Sequence, residues 1–161
     1  MAKNKPPFDV VNIEPVFVVG RDETVTDAAN IVKGSNGLVM GPALGYPQPG
    51  PMPGKSVHID DVAMMHVKSL DRAIVPKSED FLASCNTPQG IVWGSSFDIL
   101  AKHYPQECAN GVFKLDTERL QSGEGNVDSS KAERTFGFTF KSFEEQVLSV
   151  ASHYIELLDQ A

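Results

Sequence analysis

Apolar positions along the chain fall into runs of changing period. Phe8 to Gly20 (Phe-Asp-Val-Val-Asn-Ile-Glu-Pro-Val-Phe-Val-Val-Gly) is β-branched and aromatic, and most of it is apolar on both alternations. Such a run predicts a parallel-sheet strand covered on both faces. Pro15 cannot donate to a ladder, so the strand proper is expected to finish near Glu14, with the chain turning off the sheet at its carboxyl end. In open α/β sheets ligands bind at that edge. Arg21 to Lys33 predicts a short helix, capped by Thr26 or Asp27 and closed at Gly34. Between Gly41 and Gly54 nine of fourteen residues are Gly or Pro, which predicts a loop with little regular structure. Its Pro47, Pro49, Pro51 and Pro53 alternate by two, not by the three of a polyproline ligand. The loop therefore reads as a lid over a pocket or as a plain connection.

Ser56 to Asp60 predicts a short extended piece, and Asp60 or Asp61 can cap the helix that follows. In that helix Val62, Met65, His66, Ser69, Leu70 and Ala73 repeat at helical spacing and predict one buried stripe. Asp80 to Ser84 reads as a strand, and Gly94 to Tyr104 as a helix that starts near Ser95 or Ser96 and stops at Pro105. Val112 to Leu115 reads as a small strand. Asp128 can cap a helix running through Phe136 and closing at Gly137. Ser142-Phe-Glu-Glu145 has the form of a capping box, followed by Phe143, Val147, Val150, Tyr154 and Leu157 at steps of three or four.

Composition narrows the class. With 161 residues, 41% hydrophobic and 22% charged, the chain reads as one soluble globular domain. Fourteen Lys+Arg against 21 Asp+Glu leave a net charge of −7, which disfavours nucleic acid and anionic membrane as partners. The first eight residues carry no apolar signal region, and no apolar run approaches the ~20 residues of a spanning helix. Cys85 and Cys108 form neither a C-x-x-C pair nor a framework, so reduced structural thiols in a cytoplasmic setting are expected.

Candidate chemistry is sparse. His58, His66, His103 and His153 are scattered without metal-ligand spacing, and His66 sits on the expected apolar stripe as a core residue. There is no G-x-S-x-G elbow. Gly34-Ser-Asn-Gly37-Leu-Val-Met-Gly41 lacks the dinucleotide spacing and leads into the Pro-rich stretch. Asp60 and Asp61 are more simply a helix cap with a solvated neighbour than an acid/base pair.

Three stretches, residues 8–21, 56–70 (Ser-Val-His-Ile-Asp-Asp-Val-Ala-Met-Met-His-Val-Lys-Ser-Leu) and 127–147, together resemble one family in order and spacing. They are similar to the carboxyl-terminal half of extended short-chain dehydrogenases. The similarity is to the dihydroflavonol-reductase-like branch of the NAD-dependent epimerase/dehydratase superfamily, with its fungal ketoreductases and aldehyde reductases. The resemblance covers nearly the whole chain. It implies an α/β, Rossmann-type fold of a few parallel strands plus substrate-domain helices. It also implies reduction of a small-molecule ketone or aldehyde with NADPH or NADH. By position, Pro15, Val16, Phe17 and Val18 are the implied cofactor-contact residues, Pro15 and Val16 foremost. The loop from Leu38 to Met52 is implied to face the substrate, with Met40 and Tyr46 lining the pocket. In these terms 1–34 is the sheet strand and nicotinamide-side loop, and 35–161 the substrate-binding and carboxyl-terminal region of a single partial domain.

The sequence departs from that family in its chemistry. The family's glycine-rich pyrophosphate turn and Tyr-x-x-x-Lys pair are both missing: four residues after Tyr46, Tyr104 and Tyr154 stand Gly50, Cys108 and Leu158. Residues 2–7 align just after the family's catalytic helix, so the chain is expected to be inactive alone and to start downstream of it. A doubly apolar strand with an unpaired edge tends to pair with other chains. That implies self-association or a separate amino-terminal half, and a non-catalytic binding or regulatory module is the alternative reading.

Overall fold

The computed structural model describes residues 7–47, 50–85, 87 and 89–160. Pro49 and residues 2–6, on which the sequence reading also drew, lie outside the described residues.

Short parallel ladders organise the fold. Strand β1 (Val11–Pro15) pairs in parallel with β5 (Glu79–Ala83), placing Ile13 beside Phe81. The chain bends at Val16 and continues as β2 (Phe17–Val19), which pairs in parallel with β4 (Ser56–His58). The Val16 amide donates to the Ala83 carbonyl at 3.1 Å and the Cys85 amide to the Ser56 carbonyl at 2.8 Å, so the two ladders join where β5 ends. The parallel, α/β character matches the expectation. The strand runs one residue past Glu14, because Pro15 occupies the last rung, where its missing N–H faces away from β5.

Coverage of β1 is the first correction. Val11 and Ile13 are half-buried, while Val10, Asn12 and Glu14 on the other face are exposed. Only one face is covered among the described residues. It lies against helices α2 (Ile59–Lys68) and α5 (Ser130–Phe136), which are tied together by a bond from Lys68 Nζ to the Phe136 carbonyl. Phe81 packs on Phe136 with ring centroids 4.8 Å apart.

The Gly/Pro stretch also differs from expectation at its start. Helix α1 (Gly37–Ala43) reaches into it despite Pro42, because Val39, Met40 and Ala43 are carried into the core. At its end β3 (Met52–Pro53) pairs with β6 (Ser122–Gly123). Asp27 caps a 3₁₀ turn (Ala28–Asn30) in place of the expected helix. Helix α3 (Ser96–His103) follows a 3₁₀ turn at Trp93–Ser95. That helix stops before Pro105 as expected, and the fixed φ of Pro105 opens a new helix, α4 (Pro105–Ala109). Val112 to Leu115 is not a strand; Phe113 is buried there in a turn.

In α2 the stripe is rotated from the expected one. Asp61 and Met65 are buried, whereas His66 and Leu70 are exposed. Asp61 tolerates burial because the Lys141 amide donates to its Oδ2 at 2.8 Å. Helix α6 (Phe143–Asp159) starts at the expected capping box and buries Phe143, Val147, Val150 and Leu157. Ser129 is the N-cap of α5 in place of the expected Asp128, whose Oδ1 takes the Ser130 amide at 3.0 Å, and Gly137 closes α5 at φ 67° as expected. The core spans Val19, Met40, Val57, Phe81, Trp93, Phe97, Phe113 and Val150.

Three backbones meet where Gly54, Gly90 and Gly125 touch. The Gly54 carbonyl accepts from the Ile91 amide at 2.7 Å, and a Cβ on Gly125 would collide with the Gly54 backbone. Gly125→Ala is therefore expected to destabilise the protein by about 1–3 kcal/mol. Gly41→Ala, which has open space inside α1, is expected to stabilise it by about 0.5–1 kcal/mol. Chemical denaturation of the two variants checks both signs.

Candidate functional site

The candidate site is the carboxyl end of the parallel ladders. Pro15 is exposed there, and Val16, Phe17 and Val18 are half-buried. Two anchors fix this turn. Phe17 stands edge-on to Trp93 with centroids 5.9 Å apart, and Trp93 is itself edge-on to Phe143 at 5.6 Å. The Trp93 indole N–H donates to the Pro53 carbonyl at 2.9 Å, so the aromatic column is tethered to the strand leading into β4. Downstream, the buried Asn36 side chain takes the Gly20 amide at 3.0 Å and donates to the Gly20 carbonyl at 2.8 Å. Gly20 has φ 144°, and a Cβ there would meet Ile59 Cγ2 at 2.8 Å, so only glycine fits. The Arg21 amide then donates to Ser149 Oγ at 3.0 Å, fastening the turn to α6.

Beside β2 lies a buried ionisable group. His58 caps α2, its Nδ1 accepting from the Asp60 amide at 3.1 Å, in place of the expected Asp60 or Asp61. The two aspartates are bound instead from the loop before α6: Lys141 Nζ reaches Asp60 at 2.6 Å while its amide holds Asp61. Burial, then the nearby Lys141, pull the His58 pKa down; the hydrogen bond from Lys141 lowers that of Asp60; burial raises that of Asp61. This is a structural clamp between α2 and the start of α6, and neither aspartate caps α2.

The structure separates the other candidates. Met40 has no exposed surface and is part of the core, so it supports α1 from within and lines no opening. Tyr46 is about half-exposed at the end of the segment that follows α1. Clefts of about 560 and 440 Å³ lie elsewhere, one along Val92, Arg119 and Ser122 and one along His103, Tyr104 and Ser149. Neither is lined by Pro15–Val18, Met40 or Tyr46. No group of three metal-ligating side chains occurs among the described residues. Among them, too, no helix is long and apolar enough to cross a membrane. Sequence reasoning missed Asn36, Trp93, Lys141 and Ser149, whose roles depend on partners far along the chain.

No family model matches the chain. Sequence relatives do. The chain is 36% identical over 155 residues to "Ketoreductase CTB6" of Cercospora nicotianae, covering 95% of this chain and 43% of that protein. It is 33% identical over 153 residues to "Ketoreductase sphI" of Aspergillus fumigatus, covering 94% and 43%. The fold matches Gre2 from Candida albicans at TM-score 0.70 and 18% identity, covering 98% of this chain and 47% of that one. The chain is therefore similar in sequence to part of the ketoreductases and in fold to part of the extended short-chain reductases. Vestitone reductase from alfalfa shares the fold at TM-score 0.59 and 19% identity, over 92% of this chain and 44% of that one. The chain thus spans less than half the length of the reductases that it matches.

Within this chain the His58 clamp generates a pH dependence. The folded state keeps the ring neutral, so the unfolded state binds more protons once pH drops below the ordinary histidine value of 6.5. Stability present above that value is therefore lost as pH falls. The thermal midpoint is expected to decline between pH 6.5 and about 5. His58→Asn, which retains a cap acceptor, is expected to flatten that decline. Thermal scans across this range check it. Asp61, raised by burial, works with the opposite sign at lower pH: its contribution is present at acid pH and is lost as pH rises through its folded pKa.

Proposed function

We propose that this chain forms the nicotinamide shelf and substrate wall of an NAD(P)H-dependent ketone or aldehyde reductase. The observation that carries the reading is the exposed Pro15 and half-buried Val16 at the carboxyl end of a parallel ladder. It occurs in a chain whose sequence relatives are ketoreductases. That edge is where α/β sheets bind ligands, and an apolar surface there suits the face of a nicotinamide ring. A Candida albicans Gre2 of the same fold is a complex with NADPH.

The fit extends to the ring and stops there. No glycine-rich turn between a strand and a helix occurs at this edge among the described residues, so a pyrophosphate has no cradle from this chain. When bound, the reduced nicotinamide supplies a hydride. Pro15 and Val16 present an apolar surface to it, and Phe17, held on Trp93, keeps that surface in place. Tyr46, at the end of the α1 segment, is the substrate-side candidate, while Met40 supports that segment from the core. A carbonyl taking up hydride also needs a proton donor within hydrogen-bond reach, and none of the three tyrosines carries a lysine four residues later. The complete reaction is thus assigned to this chain together with the part of the reductase fold that it does not span.

Two assays test the reading. The 161-residue chain mixed with NADPH and an aromatic or aliphatic ketone is expected to show no turnover; appreciable turnover contradicts the division of labour. Substituting residues 8–160 for the matched segment of the Cercospora nicotianae ketoreductase is expected to preserve NADPH-dependent reduction. Val16→Asp in that chimera is expected to lower kcat/KM at least tenfold, because a carboxylate is placed against the ring. An unchanged value removes Val16 from the shelf.

A further inference from the structure

Two Asn-Gly steps occur in the chain, Asn36–Gly37 and Asn110–Gly111. An asparagine side chain deamidates most readily before glycine, which has no Cβ to shield its nitrogen or to restrict its backbone. In that reaction the glycine nitrogen bonds to the asparagine Cγ, and the bond from Cγ to Nδ2 breaks. The glycine N–H proton leaves with the departing nitrogen as ammonia. Water then opens the cyclic imide at either carbonyl, giving aspartate or isoaspartate, and nothing is oxidised or reduced. The reaction needs an accessible side-chain carbonyl, a glycine amide released from its acceptor, and a backbone that can turn one onto the other.

The fold treats the two steps differently. Asn36 is 7% exposed. Its Oδ1 accepts from the Gly20 amide and its Nδ2 donates to the Gly20 carbonyl, so the carbon to be attacked and the nitrogen that must leave are both held. The nucleophile is held as well: Gly37 closes a 3₁₀ turn (Gly34–Asn36) with its N–H on the Gly34 carbonyl and begins α1. The backbone runs so close beneath it that a Cβ on Gly37 would collide with the Val32 carbonyl. Turning Gly37 onto Cγ also pulls on α1, whose Val39 and Met40 are fully buried. Asn110, by contrast, is exposed at the end of the five-residue α4, and its side chain makes no hydrogen bond among the described residues. The Gly111 amide has one terminal-turn bond, to the Cys108 carbonyl at 3.1 Å, and open space surrounds this glycine.

We infer that Asn36–Gly37 is a deamidation site gated by the turn at Gly20, and that Asn110–Gly111 is an ungated one. Asn36 is preserved while Gly20 holds it, and each local opening of the turn exposes it to attack. The damage then sustains itself. An aspartate at this position keeps an acceptor for the Gly20 amide but has no donor for the Gly20 carbonyl, and it sets a buried carboxylate oxygen against that carbonyl. Isoaspartate also lengthens the backbone where it passes Val32. Either product loosens the end of the segment that carries Pro15 to Val18, whereas modification of Asn110 leaves that segment alone. The inference stands on the contacts of Asn36 and Gly37 and does not depend on the reductase reading.

The test is peptide mapping by mass spectrometry of the 161-residue chain held at mildly alkaline pH, with and without denaturing urea, isoaspartate being scored by enzymatic methylation. In buffer, Asn110 is expected to convert at least about thirtyfold faster than Asn36, a factor of roughly five for each of the two side-chain hydrogen bonds that only Asn36 makes. In urea the two are expected to convert within about threefold of each other, because both are then Asn-Gly in an open chain. Asn36→Asp, which reproduces one product, is expected to speed amide hydrogen exchange at Gly20 and Arg21 by about fivefold or more, while Asn110→Asp leaves both unchanged. Comparable rates for the two asparagines in buffer, a difference that persists in urea, or unaltered exchange at Gly20 in Asn36→Asp would each overturn the inference.

Discussion

The bend at Val16 is the constraint on which the rest depends. One extended segment must serve two partners, β5 before the bend and β4 after it, and the amide of Val16 is the last one given to β5. A parallel ladder fixes which residues face which neighbour, so this choice determines three things together. It leaves Pro15 at the exposed end of the rungs, turns Phe17 onto Trp93, and directs Val11 and Ile13 away from the described strands. A one-residue slip would exchange every one of these placements.

The same turn links stability to the site. Gly20 ends the segment in a conformation that only glycine occupies, and Asn36 satisfies both its backbone groups from the 3₁₀ turn before α1. From there the chain is fastened to α6 through Ser149, while His58, Asp60 and Asp61 are fastened to the start of α6 through Lys141. Helix α6 is thus the brace that holds the strand ends, and its capping box sets where that brace begins. The proposed ring shelf rests on backbone geometry and apolar packing. The ionisable groups nearby hold elements together.

Local signals were legible in the sequence, and distant partnerships were not. Gly137 and the Ser142–Glu145 box act through neighbours three or four residues away, and each does what its pattern predicts. The parallel character of β1 was also legible from its doubly apolar run, although coverage on the second face was not found among the described residues. The α2 stripe was misplaced because a buried Asp61 is acceptable only once Lys141, eighty residues on, supplies an amide. Gly and Pro density around position 42 concealed α1, whose stability comes from core burial and not from local propensity. Pro105 stops α3 as read, and as a proline at a first helical position it also starts α4, which was not read. For the site, Pro15 to Val18 are proposed only through family resemblance, since a strand end has no pattern of its own.

The most direct test of the central claim is residue-specific amide hydrogen exchange along β1 in the isolated chain. The account predicts that Asn12, Glu14 and Val16, whose amides face β5, are protected, while Val11 and Ile13 exchange markedly faster. Equal protection at all five positions, or protection centred on Val11 and Ile13, would show that the ladder is paired differently and would contradict it.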